Sequence, residues 1–328
     1  MILAGDIGGT KTNVALFETS GSEIGDVVRQ QTFPSARYDS LEAILSEFIG
    51  ETQLSIAGAC FGIAAPVIEG NARTPNLNWT ISSESLARLL KIERCGLIND
   101  LEATAYGIPG LRNSQLLTLN AGDERHDGHR ALIAAGTGLG MAGIFYRDGQ
   151  YHPIASEGGH ADYAPRTADE IELLRYLTKK FDGHVSYERV LSGPGLFNVY
   201  SFLRDTGFAE EPGWLAEQLQ SGDKTATVSM AALGNKCQLA VRALDMFVSA
   251  YGALSGNLAL LMMATGGLYV GGGIAPKLRE KLIDGTFMKA FTDKGRLTAV
   301  LASIPVHIIL EDKTALFGAA RVALEFAR

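Results

Sequence analysis

Apolar positions along the chain follow two rhythms, one of short runs broken by glycine and one of helical spacing. The segment ILAGDIGGTKTNVALFETSG near the start predicts a strand, a glycine turn and a second strand, in which Asn13, Ala15 and Phe17 alternate with Val14, Leu16 and Glu18. The segment ALIAAGTGLGMAGIFYRDGQ (131–150) predicts the same design, with a Gly-Thr-Gly turn between apolar strands and Asp148-Gly149 as a further hairpin turn. Two such hairpins, about 130 residues apart, predict two lobes of similar topology.

Between the hairpins, Leu41, Ile44, Leu45, Phe48 and Ile49 have helical spacing, with Asp39 and Glu42 placed as a capping box. Residues 55–64 read as a strand of small residues ended by Pro66. Leu86, Leu89 and Leu90 mark a helix capped near Ser82 or Ser83, and CGLIND (95–100) reads as a strand entering a helix over 101–108. This alternation predicts an α/β lobe. The polar stretch 111–129 reads as a loop, so the expected division is a small lobe of 1–110 plus about 300–328 and a large lobe of 111–299. A helix over 313–327, with Leu316, Ala319, Ala320, Val322 and Ala323 apolar, is expected to complete the small lobe.

The stretch from Phe247 to Thr265 is free of charge and carries Gly252-x-x-x-Gly256, so a membrane span has to be weighed. Ser249, Ser255 and Asn257 interrupt it, and Arg242 and Asp245 lie on the same periodic run, which predicts a helix buried between layers instead.

At 328 residues the chain exceeds what one core usually serves, and two lobes with a cleft between them are expected. Hydrophobic residues at 46% and charged residues at 20% predict that the whole chain folds. A net charge of −7 argues against nucleic acid or an anionic membrane as partner. Cys60, Cys95 and Cys237 are scattered, which suggests neither a disulfide framework nor a thiolate zinc site and fits a reducing cytoplasm. The first residues lack the pattern of an export signal.

Several residues carry candidate chemistry. In GDIGGTKT (5–12), Gly5, Gly8 and Gly9 let the backbone approach an anion, Asp6 can hold hydrated Mg²⁺, and Lys11 can meet phosphate charge. Thr10 separates Gly9 from Lys11, so this is not the Gly-Lys-Ser/Thr phosphate loop; a plain tight turn is the alternative, and Asp6 weighs against it. Gly138, Gly140 and Gly143 formally match the dinucleotide fingerprint, but strands follow where that motif needs a helix. What remains is a second phosphate turn using Thr137 and the amides of Gly136 and Gly138. A third cluster, LYVGGGIAPKLREKL (268–282), places Gly272 and Gly273 before a helix expected near Pro276, and reads equally as flat access for a nucleotide base or as a packing turn. Asn99-Asp100 stands where a strand becomes a helix, a common ligand position, although Asp100 could serve only as a cap. Glu157 and His160 in SEGGH lack evident third and fourth metal ligands and suit sugar hydroxyls better. Glu188, before the Gly193-Pro194-Gly195 turn, has a solvated helix-end carboxylate as its plain alternative.

Taken in order, GDIGGTKT, LINDLEATAYGI, AAGTGLG, EGGHADYAP, ERVLSGPG and VGGGIAP resemble the bacterial glucokinase family of the hexokinase, Hsp70 and actin group, from Gly5 to about Pro276. The resemblance implies two actin-like (ribonuclease H-like) α/β lobes, each a mixed β-sheet flanked by helices, with ATP and sugar in a central cleft. It implies transfer of the γ-phosphoryl group of ATP to the 6-hydroxyl of glucose, with Mg²⁺. It makes Asp100 the catalytic base, and Asn99, Asp100, Glu157, His160 and Glu188 the sugar site. Gly5, Asp6, Ile7, Gly8, Gly9 and Thr10 become the ATP loop. The related repressor, open-reading-frame and kinase group carries a zinc-binding cysteine cluster after its E-x-G-H motif; none stands here, which implies a zinc-free member. Some family members have Asn in place of Lys11, so Lys11 takes no role from the resemblance. A homodimer is implied. The rivals are a kinase for mannose, fructose or an N-acetylhexosamine, a sugar-responsive regulator, which the acidic charge disfavours, and an actin-type filament protein, which EGGH and ERVLSGPG disfavour.

Overall fold

The computed structural model describes all residues except 22, 51–54, 75–76 and 328. The chain forms two compact units, the first of Met1–Asn113, Tyr151–Ala155 and Glu311–Arg328, the second of Ser114–Gln150 and Ser156–Leu310.

The first unit is built on the predicted hairpin. Strand β1 (Ile2–Ile7) pairs antiparallel with β2 (Lys11–Ser20) from Ile2↔Phe17 to Ile7↔Thr12, and β3 (Glu23–Pro34) continues the meander. On the other side β4 (Gly58–Ile63) joins β1 in parallel. Beyond a small meander of β5 (Val67–Ile68), β6 (Asn71–Arg73) and β7 (Thr80–Ser82), β8 (Cys95–Asn99) joins β4, again in parallel. The alternation in the hairpin sorts residues onto two covered faces. Leu3, Ile7, Val14 and Leu16 pack with Ile44, Leu45 and Phe48 of α1 (Leu41–Ile49) and Leu86 of α2 (Ser83–Leu90). Ile2, Ala4, Ala15 and Phe17 pack on Leu316, Ala319 and Ala320 of the last helix. Each large apolar side chain so buried contributes roughly 1.5–3 kcal/mol.

The cap of α1 is Ser40, whose Oγ accepts the Ala43 N–H at 3.2 Å, and not the Asp39 of the expected capping box. Ser82 stands at the start of α2 and makes no side-chain cap bond. Helix α3 (Asp100–Gly107) lies against the last helix at glycine contacts: a Cβ on Gly318 would stand 1.7 Å from the Ala103 carbonyl oxygen, and one on Gly107 would stand 2.1 Å from that of Thr314.

The second unit has the strand order β11-β10-β13-β14-β9, with β9 (Leu116–Asn120), β10 (Arg130–Ala135), β11 (Leu139–Arg147), β13 (Leu268–Gly271) and β14 (Val306–Ile309); β12 (Gln150–Ser156) follows β11 in the chain, and its residues Tyr151–Ala155 belong to the first unit. As in the first sheet, an antiparallel hairpin, β10 with β11, stands beside two strands added in parallel, β13 and β14. Asp148 and Gly149 both have positive φ, 53° and 80°, as a two-residue hairpin turn requires.

Two expectations are corrected here. The stretch 111–129 is not all loop, because Leu116 and Leu117 in β9 pair antiparallel with β14. Residues 300–310 belong to the second unit, since Val306 and Ile308 of β14 are core residues of its sheet.

Helices α4 (Ala168–Lys180), α5 (Gly193–Asp205), α6 (Gly213–Ser221), α7 (Lys224–Leu233) and α8 (Gln238–Met262) follow, then α9 (Arg279–Leu282), α10 (Thr286–Thr292) and α11 (Thr298–Ala302); α12 (Thr314–Phe326) returns to the first unit. Helix α8 is long and apolar enough to cross a membrane, yet Leu244, Phe247, Val248 and Tyr251 lie in the core of the second unit. Its Gly252 and Gly256 allow close packing on α10, since a Cβ at either would stand 2.1 or 2.4 Å from the carbonyl oxygen of Phe287 or Phe291.

Candidate active site

In the first unit the carboxyl ends of three parallel strands come together. Register places Asp6 opposite Gly62 and Ile63 opposite Asn99, the position where open α/β sheets receive ligands. Gly62 keeps this end narrow: a Cβ there would stand 2.7 Å from the Ala103 Cβ and 3.9 Å from the Asp100 Cα. The cap of α3 is Asn99, whose Oδ1 accepts the Glu102 N–H at 2.6 Å, so Asp100 is the first helical residue and not the cap. Asp100 Oδ1 accepts the N–H of Leu101 at 2.9 Å, and the residue is exposed.

Burial pushes the Asp6 carboxyl from 3.8 up to about 6. The Asn13 amide, donating to Asp6 Oδ2 at 3.4 Å, works against the rise; the Asp100 charge adds to it, Lys11 opposes it, and Asp312 adds a smaller push. Asp312, in the turn before α12, is an acidic neighbour that the sequence reading missed. Its only signal is a place before a helix, which reads as ordinary N-terminal acidity.

The turn at Gly8, Gly9 and Thr10 is braced from below. The Gly8 N–H closes the hairpin on the Lys11 carbonyl at 3.0 Å, Ser35 Oγ donates to the Gly8 carbonyl at 2.8 Å, and the Ser35 N–H donates to that of Thr10 at 3.1 Å. Gly5 serves packing inside β1, where a Cβ would stand 2.6 Å from the Phe61 ring, so its glycine is not explained by an anion's approach. Ile7 is a core side chain, and its carbonyl accepts the Ala64 N–H at 3.1 Å.

In the second unit the Gly136–Gly138 turn is held on three sides. The Gly136 N–H donates to the Gly138 carbonyl at 2.8 Å, which takes that amide out of the expected phosphate cradle. The Gly193 N–H donates to the Gly136 carbonyl at 2.8 Å, and Glu188 Oε2 accepts the Leu139 N–H at 3.0 Å. Glu188 is half-buried and tied to the turn, which replaces the solvated helix-end reading. Thr137 at the tip is exposed.

The third glycine cluster abuts the same turn. Gly272 has φ +82° and would bring a Cβ to 2.3 Å from the Ala135 carbonyl oxygen, so it is a packing glycine, whereas Gly273 has nothing within 4 Å of such an atom. The Ile274 N–H bonds to the Ala135 carbonyl at 3.2 Å, and turn bonds from Lys277 and Leu278 back to Ile274 delay the helix from Pro276 to Arg279.

Glu157 and His160 are exposed on a short 3₁₀ turn after β12, with His160 Nε2 3.8 Å from Glu157 Oε2. A Cβ on Gly159 would stand 1.9 Å from the Leu139 carbonyl oxygen, and Ala161 accepts the Tyr187 N–H at 2.9 Å. The segment therefore runs beside both the second turn and Glu188. Among the described residues no group of three or more His, Cys, Asp or Glu side chains forms a metal site. The structure thus gathers Gly136, Thr137, Gly138, Glu157, His160, Glu188, Gly272 and Gly273 in the second unit, and residues 5–10, Asn99 and Asp100 in the first.

The glucokinase family profile matches residues 3–326. The chain is 42% identical to the glucokinase of Nostoc sp. (strain PCC 7120 / SAG 25.82 / UTEX 2576), over 98% of each chain. Among solved structures, the glucokinase of an Antarctic psychrotroph superposes with a TM-score of 0.86 at 29% identity, over 99% of this chain and 98% of that one. The glucokinase of Balamuthia mandrillaris, solved in complex with glucose, superposes with a TM-score of 0.78 at 22% identity, over 98% and 93%.

Proposed function

The chain belongs to the glucokinase family and is an ATP-dependent glucose phosphotransferase, and we propose that Asp100 is the base of that reaction. One observation carries the proposal: Asp100 opens α3 at the carboxyl end of β8, exposed, while its neighbour Asn99 does the capping. The Asp100 carboxylate accepts the proton of the sugar 6-hydroxyl as that oxygen bonds to the γ-phosphorus and the bond to the bridging oxygen of ADP breaks. Phosphoryl transfer asks the protein mainly to position groups and offset charge.

The other residues divide the holding. With its Oδ1 committed to the helix, Asn99 offers its amide nitrogen to the sugar. Glu157, His160 and Glu188 take the remaining hydroxyls. The tips at Gly9–Thr10 and Thr137–Gly138 meet the phosphates, and Gly273 leaves flat space for the base. Asp6 fits a hydrated Mg²⁺: a carboxyl whose ionisation is opposed by burial and by Asp100 and Asp312 gains from a divalent cation held through water. When bound, Mg²⁺ offsets charge on the phosphoryl oxygens. Buried free thiols at Cys60, Cys95 and Cys237 suit the cytoplasm.

The test is a panel of glucose, mannose, fructose and N-acetylglucosamine with coupled detection of ADP. Glucose is expected to give the highest kcat/KM. A higher value for any other sugar, or no ADP with any of them, overturns the reading.

A further inference from the structure

The segment Glu188–Gly195 reaches the second glycine turn at two points, through Glu188 Oε2 on the Leu139 N–H (3.0 Å) and through the Gly193 N–H on the Gly136 carbonyl (2.8 Å). One hydroxyl locks the two points together. Ser192 Oγ donates to the Glu188 carbonyl at 2.7 Å and accepts the Gly195 N–H at 3.0 Å, and Ser192 is 2% exposed. The fit leaves no slack. A Cβ on Gly138 would stand 2.6 Å from Glu188 Oε2, and one on Gly195 would stand 2.5 Å from the Val190 carbonyl oxygen. The carboxylate cannot shift without the turn shifting too.

We propose that Glu188 couples the two substrates: one of its oxygens holds the turn, the other takes a sugar hydroxyl, and sugar occupancy thereby prepares the turn for nucleotide phosphate. The inference rests on the reading above, in which Glu188 binds sugar and this turn binds phosphate. Its sign follows from charge. A carboxylate beside a phosphate site repels the anion, and a sugar hydroxyl donating to that carboxylate disperses its charge and fixes its position. Glucose should therefore tighten nucleotide, and by linkage nucleotide should tighten glucose equally.

Calorimetric titration of AMPPNP with Mg²⁺, without and with saturating glucose, tests this on the wild type, Glu188→Gln and Glu157→Gln. In the wild type glucose should tighten AMPPNP about fivefold or more, the lower end of ordinary coupling. Both variants should bind glucose more weakly, but only Glu188→Gln should lose the enhancement, with a ratio near one. Gly138→Ala, which crowds the carboxylate without removing it, should lose the enhancement as well, and stands in if Glu188→Gln does not fold. A wild-type ratio of one, or a Glu188→Gln or Gly138→Ala ratio equal to the wild type's while Glu188→Gln binds glucose weakly, overturns the coupling alone. Unchanged glucose affinity in Glu188→Gln overturns the sugar assignment and the coupling with it.

Discussion

The two units carry the same device, an antiparallel hairpin with a glycine tip beside parallel strands, and brace it in opposite ways. The first tip rests on a serine hydroxyl, and carboxyl groups stand near it, Asp6 among them, buried enough to be pushed up to about 6. The second tip rests on backbone amides and one carboxylate, all supplied by a distant loop and a third glycine cluster. A shared topology therefore leaves the chemistry open. What abuts the tip distinguishes the two, a buried acid in the first unit and a carboxylate bonded to the turn in the second, and the proposed reading gives proton transfer to the first unit and most of the sugar recognition to the second.

The sharpest way to break this contrast is Asp100→Asn. Loss of a positioned base should lower kcat by about 10²–10⁴-fold, whereas Glu157→Gln in the second unit should act mainly through KM; steady-state kinetics on both variants separates the two. Next in size is the buried acid. With its pKa raised from 3.8 to about 6, Asp6 is more easily protonated in the folded chain than in the unfolded one, so its ionisation costs stability as pH rises through that window. The cost is absent below about pH 4 and complete above about pH 6, up to roughly 3 kcal/mol. Asp6→Asn should accordingly gain stability over the wild type at pH 8 but not at pH 4. Denaturant unfolding at both pH values measures it, and an equal difference at the two would contradict the burial account. Smallest is a comparison inside the first unit. Ser40→Ala should cost about 1 kcal/mol because Ser40 caps α1, while Ser82→Ala should cost close to nothing, since Ser82 makes no cap bond. Thermal unfolding of the pair gives the difference.

Both hairpins were legible because strand, turn residue and strand are local in sequence, and Asp148-Gly149 declares its turn type. The strand β9 was hidden, since Leu116 and Leu117 lie in a polar stretch and gain strand character only by pairing with the distant β14. The same pairing carries residues 300–310 into the second unit. At the candidate site, the place of Asp100 where a strand becomes a helix was legible, but two adjacent cap-favouring residues could not be ranked by type; backbone geometry made Asn99 the cap. Asp312 and the bond from Glu188 to Leu139 were invisible, because both depend on segments far apart in the chain.

The most direct test of the division between the units is calorimetric titration of glucose into Asp100→Asn and Glu157→Gln side by side. The account predicts affinity within about threefold of the wild type for Asp100→Asn, and a loss of about tenfold or more for Glu157→Gln, the worth of a hydrogen bond to a charged group. The reverse, glucose binding lost with Asp100→Asn and kept with Glu157→Gln, would contradict it.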